Sequence, residues 1–270
     1  MPILNKDMTL CISLAARPSN IGTRFHNYLY DELGLNFVYK AFTTTDIDGA
    51  IAGVRALGIR GCSVSMPFKE AVIPLVDEIE PSGAAIDSVN TIVNDGGRLI
   101  ASNTDYEAVA ELLSVHAVDP GLPVLVRGSG GMAKAVVAAF HGAGFADVTV
   151  LARNEAAGRS LAERYGYRAV TEAPAPGDAV LVNVTPLGMN GPDADALAFP
   201  ASHIDAARTV FDVVAFPAET PLIVAARARD IPVITGAEVI ALQAARQFSR
   251  YTGVTPTPEQ VARASAFSRE

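Results

Sequence analysis

Short runs of consecutive apolar residues alternate along this chain with longer stretches in which apolar positions recur every three or four residues. The first pattern suits a strand buried on both faces, the second an amphipathic helix. Residues 9–15 form such a run, which ends in a turn-rich segment from Ala16 to Thr23. Phe25, Leu29 and Leu33 then predict a helix over residues 24–33, with Asn20 or Thr23 as its cap and Gly34 as its stop. Residues 37–42 read as a strand, 46–57 as a helix and 61–65 as a strand. The order βαβαβ predicts a mostly parallel sheet with helices on its faces.

Pro67 suits an early helical position and predicts a new segment there. Residues 84–94 return the chain to strand, and Asp95-Gly96-Gly97 suits a hairpin. An amphipathic helix is expected from Tyr106 to Leu113, with a domain boundary just before it. Beyond the loop at Pro120 and Gly121, strands are expected over residues 123–127, 148–152, 179–183, 209–216 and 232–236. Helices are expected over 131–140, 155–165 and 221–229, and finally over 237–251 and 258–267. The fold class is therefore α/β with two domains. They are residues 1–104 and a Rossmann-type domain over 105–236, with helices over 237–270 that pack back on the first domain.

Within this pattern, Arg127-Gly128-Ser129-Gly130-Gly131-Met132-Ala133 joins a buried strand directly to a helix. Gly128 permits a tight turn, Gly130 lets backbone N–H groups approach a pyrophosphate, and Ala133 is small enough for close helix–strand packing. The helix N-terminus then faces the phosphates. All six residues from Gly128 to Ala133 are cofactor-binding candidates. The next strand ends about twenty residues on, where such folds read the ribose 2′ position. Arg153 stands there with no acid beside it, and its forked, permanent charge favours a 2′-phosphate, hence NADP over NAD. The other reading of Arg153 is a solvated surface arginine. Thr185 and Gly236, at the ends of later strand runs, complete the cofactor-binding set.

Composition narrows the partners. Half of the 270 residues are apolar and 19% are charged, the balance of a globular protein. A net charge of -8, with arginines interspersed among acids, argues against a nucleic-acid partner. No apolar run approaches the roughly 18 residues of a membrane span, and residues 1–7 lack a secretory pattern. A cytoplasmic protein is expected. Cys11 and Cys62 read as buried free thiols, and His26, His116, His141 and His203 lack ligand spacing, so no metal is expected.

Polar segments fall at the carboxyl ends of strands, where open α/β sheets bind ligands: Ser65 to Lys69, Asn90, Asn103 to Asp105, and Asn183 to Met189. A lysine beside an aspartate can move a proton, and Lys69 and Asp105 are the candidates. By spacing alone, Lys69 serves equally well as a surface residue at a helix start.

The glycine segment, Pro67-Phe68-Lys69-Glu70, Val89-Asn90-Thr91, Asn103-Thr104-Asp105, Asn183 to Met189 and Thr220-Pro221-Leu222 together resemble the shikimate dehydrogenase family, in order and along nearly the whole chain. The resemblance implies a substrate domain followed by an NADP domain. It also implies hydride transfer between a ring alcohol and its ketone, as in aromatic amino acid biosynthesis. Lys69 and Asp105 match the family's catalytic pair, and Asn90 and Gln243 match substrate-binding positions. The family's serines before its His-Asn are replaced in Asn20-Ile21-Gly22-Thr23, so Asn20, Gly22 and Thr23, with Ser65, are the substrate-grip candidates. Phe216 stands for a tyrosine, Ser63 and Ser65 for an asparagine and a threonine, and Glu238 for a glycine near the nicotinamide. These departures resemble the divergent shikimate-dehydrogenase-like subgroup and imply weak shikimate activity. Quinate or aminoshikimate dehydrogenase, or a dinucleotide-binding sensor without turnover, are the alternatives. The expected partner is a small polyol carboxylate, with the protein a monomer or homodimer.

Overall fold

The computed structural model describes residues 4–270. The chain opens with β1 (Thr9–Ala15), α1 (Ile21–Glu32), β2 (Phe37–Thr43), α2 (Ile47–Ala56) and β3 (Gly61–Val64). A 3₁₀ turn (Ile73–Leu75), β4 (Glu78–Ile79), α3 (Pro81–Ala84), β5 (Thr91–Asp95) and β6 (Arg98–Ser102) follow. Next come α4 (Thr104–Val115), β7 (Val124–Arg127), α5 (Gly131–Gly142), β8 (Val148–Leu151), α6 (Glu155–Glu163), β9 (Arg168–Val170) and β10 (Val180–Asn183). The chain continues through α7 (Ala201–Ala206), β11 (Thr209–Asp212), α8 (Pro221–Arg227), β12 (Val233–Thr235), α9 (Gly236–Thr252) and α10 (Pro258–Arg269). These elements form two compact units, residues 1–104 with 241–270, and residues 105–240.

The first unit holds a six-stranded sheet in the order β2-β1-β3-β5-β6-β4. Along β1 the side chains alternate between two cores. Leu10, Ile12 and Leu14 pack with Ile51 and Val54 of α2, while Cys11 packs with Phe25, Leu29 and Tyr30 of α1. The second cluster also takes Phe248 and Tyr251 from α9 and Ala264 from α10. Both cysteines are buried and free.

As the βαβαβ order predicts, β1, β2 and β3 pair in parallel, while β5 runs antiparallel to both β3 and β6. Gly96 and Gly97, at φ +59° and +96°, make the turn that returns β6 beside β5. Two sequence expectations for this unit are corrected. No α-helix starts at Pro67. Residues 66–72 form turns and only a 3₁₀ turn follows, since Pro67 and Pro74 each remove a backbone donor. The strand expected from residue 84 begins only at Thr91, after α3 and a left-handed Asp87 at φ +48° have broken the extended path.

The second unit is a parallel six-stranded sheet in the order β12-β11-β10-β7-β8-β9. Its central strands are buried end to end, as β8, β10 and β11 show, which is why they read as continuous apolar runs. The order reverses between β7 and β10, the point at which doubly wound sheets hold ligands.

Candidate functional site

In the first unit the site is built on Asn90, which is 3% exposed. Its Oδ1 accepts from Thr91 Oγ1 at 2.8 Å, from Thr104 N at 2.9 Å and from Thr104 Oγ1 at 3.1 Å. One buried amide oxygen therefore ties the start of β5 to the start of α4. The neighbouring Val89 N donates to Lys69 O at 2.9 Å, so the backbone of Lys69 is anchored one residue away from Asn90. Asp105 follows Thr104 directly, in the first turn of α4. Gln243 Oε1 accepts from Thr104 Oγ1 at 3.4 Å.

Gln247, absent from the sequence candidates, is 3% exposed. Its Nε2 reaches Thr91 Oγ1 at 3.0 Å, Ser63 Oγ at 3.2 Å and Asn90 O at 3.3 Å. The signal for it was present, since Gln243 and Gln247 lie four apart and share a helix face.

At the substrate-grip positions Asn20 stands at the N-cap of α1, as expected, but at φ -83°, ψ -9° it is already helical and its side chain makes no cap hydrogen bond. Thr23 lies inside the first turn, with its Oγ1 buried and no hydrogen-bond partner. Gly22 has ordinary space beside it, since a Cβ there would lie 3.7 Å from Tyr39. Ser65 is exposed just past β3, its N donating to Leu14 O at 2.9 Å.

In the second unit β7 runs into the glycine turn and α5. Gly128 has φ +123°, and a Cβ there would lie 2.8 Å from Val184 Cγ2 and 3.0 Å from Thr185 Cγ2. Both conformation and space demand glycine. Ser129 is half-buried ahead of the helix. Gly130 caps α5, Gly131 opens it, and neither has an atom within 4 Å of its missing Cβ. Met132 is half-buried and Ala133 fully so. The backbone over this helix terminus is thus accessible to an anion, and the residues fit a dinucleotide pyrophosphate.

Arg153 is exposed just past β8, and Asn154 beside it caps α6 by accepting from Ala157 N at 3.1 Å. Burial and the charge of Arg153 hold the guanidinium of Arg127 below its ordinary range, so two cations share this edge of the sheet. The hydroxyl of Thr185 donates to Asn183 Oδ1 at 2.6 Å and accepts from Leu187 N at 3.3 Å, which fixes the shape of its own loop. A Cβ on Gly236 would lie 2.3 Å from Val213 O, so glycine there admits a backbone approach. Glu238 forms a reciprocal cap with Thr235: Thr235 N donates to Glu238 Oε2 at 2.8 Å and Glu238 N donates to Thr235 Oγ1 at 3.3 Å. Its other oxygen meets His116 Nε2 at 3.0 Å. Phe216 is exposed.

Among the described residues no group of three or more His, Cys, Asp or Glu side chains is arranged to hold a metal ion. Among them, too, no helix is long and apolar enough to cross a membrane.

The family model for the shikimate dehydrogenase substrate binding domain matches residues 20–92. A shikimate dehydrogenase-like protein of Haemophilus influenzae is 56% identical over 268 residues, 99% of either chain. The shikimate dehydrogenase (NADP(+)) of Chlorobaculum tepidum is 39% identical over 249 residues, 84% of either chain. Among solved structures, a shikimate 5-dehydrogenase-like protein of 56% identity superposes with a TM-score of 0.97, covering 99% of this chain and 100% of its own. Shikimate 5-dehydrogenase from Thermus thermophilus, in complex with NADP(H) and shikimate, superposes with a TM-score of 0.87 at 30% identity, covering 97% of this chain and 100% of its own. With motifs, fold and full-length similarity in agreement, the chain belongs to the shikimate dehydrogenase family, a family of oxidoreductases.

Proposed function

We propose that this protein is an NADP-dependent oxidoreductase that interconverts a ring alcohol and its ketone on a small polyol carboxylate, with shikimate a poor substrate. The observation that carries this reading is the Asn90 hub. One buried amide holds Thr104, the residue before Asp105, and stands beside the backbone anchor of Lys69. Lys69 and Asp105 act as a unit on the proton of the reacting hydroxyl. The Asp105 carboxylate orients the Lys69 amine, and the lone pair of the neutral amine takes the hydroxyl proton, leaving an ammonium, as the alcohol carbon loses hydride. When bound, NADP supplies the hydride acceptor, and Gly128 to Ala133, Thr185 and Gly236 shape its site while Arg153 faces the 2′-phosphate. Asn90, Gln243 and Ser65 contact the ring hydroxyls, and the buried Thr23 hydroxyl, with Asn20 and the space at Gly22, receives the carboxylate. The protein works in the cytoplasm as a monomer or homodimer, without nucleic-acid or membrane partners.

The test is NADPH formation from a panel of cyclic polyols that includes shikimate, quinate and aminoshikimate, run with wild type and Lys69→Ala. On the best substrate, Lys69→Ala should lower kcat on the order of 10²–10⁴-fold. A panel without turnover, in a protein that binds NADP, would establish a sensor instead.

A further inference from the structure

Asn183, Asp212 and Thr220 are each 0% exposed, and they form a buried polar triad at the carboxyl ends of β10 and β11. Asp212 is its centre. Oδ1 accepts from Asn183 Nδ2 and from Val214 N, both at 3.0 Å, and Oδ2 accepts from Thr220 Oγ1 at 2.7 Å. A buried carboxylate without donors would be strongly unfavourable, but this one meets three. Burial pushes its carboxyl up, and the donors from Thr220, Val214 and Asn183 oppose that shift.

Each donor leads into a different loop. Asn183 spends its second N–H on Leu187 O at 3.1 Å and its Oδ1 on Thr185 N at 3.0 Å, so it dictates the path of residues 183–187. That loop lies on the glycine turn, because Val184 and Thr185 are the atoms that a Cβ on Gly128 would strike. Val214 belongs to the segment whose Val213 O lies 2.3 Å from where a Cβ on Gly236 would stand. Thr220 caps α8 by accepting from Ile223 N at 3.2 Å and packs against Gly188, whose Cβ would lie 3.1 Å from it. Thus Gly128, Thr185 and Gly236, three of the cofactor-binding candidates, all touch segments that Asp212 holds.

We propose that Asp212 is a positioning residue for the dinucleotide site, setting the relative placement of the 183–188 loop, the 213–214 segment and the start of α8 against the Gly128 turn. The proposal rests on the reading of this unit as the NADP-binding unit. These hydrogen bonds hold the three loops in place, so little ordering remains to be done on binding.

The experiment measures NADP dissociation constants calorimetrically for wild type, Asp212→Leu, Asp212→Asn and Thr220→Val, alongside melting temperatures and steady-state kinetics. Asp212→Leu keeps the branched shape with a bulkier side chain and removes every acceptor. Asp212→Asn keeps one oxygen for Val214 and Asn183. The expected order is a rise in Kd of roughly tenfold or more for Asp212→Leu, a few-fold for Asp212→Asn and for Thr220→Val, and a parallel rise in KM for NADP. At saturating NADP, kcat should stay within about threefold of wild type, because no group on the substrate has been removed. A folded Asp212→Leu with the wild-type Kd overturns the proposal. If that variant does not fold, unchanged Kd values in both Asp212→Asn and Thr220→Val overturn it. A wild-type protein that fails to bind NADP refutes the reading of the unit itself, which separates the two failures.

Discussion

His26 shows what a single residue contributes beyond its place in a motif. It is 0% exposed, with its ring stacked on Tyr39 at 4.4 Å and 9°. Burial pushes its imidazole down to about 3. An unfolded histidine titrates near 6.5, so between these values the unfolded chain binds a proton that the folded chain refuses. The stabilisation is therefore complete above about pH 6.5 and is lost as pH falls toward 3, with a slope of about 1.4 kcal/mol per pH unit from this residue. Urea unfolding at pH 7, 6, 5 and 4 should show that slope, and His26→Phe, which keeps a stacking ring, should flatten it. An equal slope in the variant would remove His26 from the account of acid sensitivity. The sequence places this histidine on a helix but gives no measure of its burial, because α9 and β2, which enclose it, come from remote segments. Gly128 was legible by contrast, since a strand–glycine–helix succession constrains the residue locally.

At the scale of elements, hydrophobic periodicity located the longer strands and helices of both units, and what it missed was the β3–β5 pairing and the shortest elements. Nothing in residues 91–102 states that β5 will run antiparallel beside β3, since partner choice depends on where the sheet already has an open edge. The short β4, β9 and α7 were also invisible, being too brief to show a period. The start of α9 carries a testable local rule. Glu238 stands where the family commonly has glycine, and it closes a reciprocal cap with Thr235 while meeting His116. Glu238→Gly loses the cap and adds a flexible residue in a helical turn, each worth on the order of 1 kcal/mol. Thermal melts should show a lower Tm for Glu238→Gly and a smaller loss for Glu238→Gln, which retains an acceptor for Thr235. An unchanged Tm in Glu238→Gly would mean that α9 is fixed by its packing alone.

For the whole molecule, the family's substrate is the point at which the departures add up. Hydroxyls expected to hold a carboxylate are absent at positions 20, 22 and 216, where the chain has Asn, Gly and Phe. A hydrogen bond to a charged group contributes roughly 1.5–3 kcal/mol, so losing two should lower shikimate kcat/KM on the order of 10²–10⁴-fold relative to a dedicated shikimate dehydrogenase. The triple variant Asn20→Ser, Gly22→Ser and Phe216→Tyr should recover part of that loss. Gly22 can accept a side chain, since a Cβ there meets Tyr39 only at 3.7 Å. Equal kcat/KM for the unmodified protein and the dedicated enzyme, assayed side by side, would refute this reading. The division of the chain has a further consequence, for biosynthesis. Residues 105–240 interrupt a unit whose last segment is 241–270, and the cluster around Phe25, Tyr30 and Tyr39 is closed by Phe248, Tyr251 and Ala264. Domains otherwise tend to fold in order of emergence from the ribosome. Here the part translated first is completed last, and until the final helices emerge the nascent chain carries an open aromatic face that a chaperone must tolerate or cover.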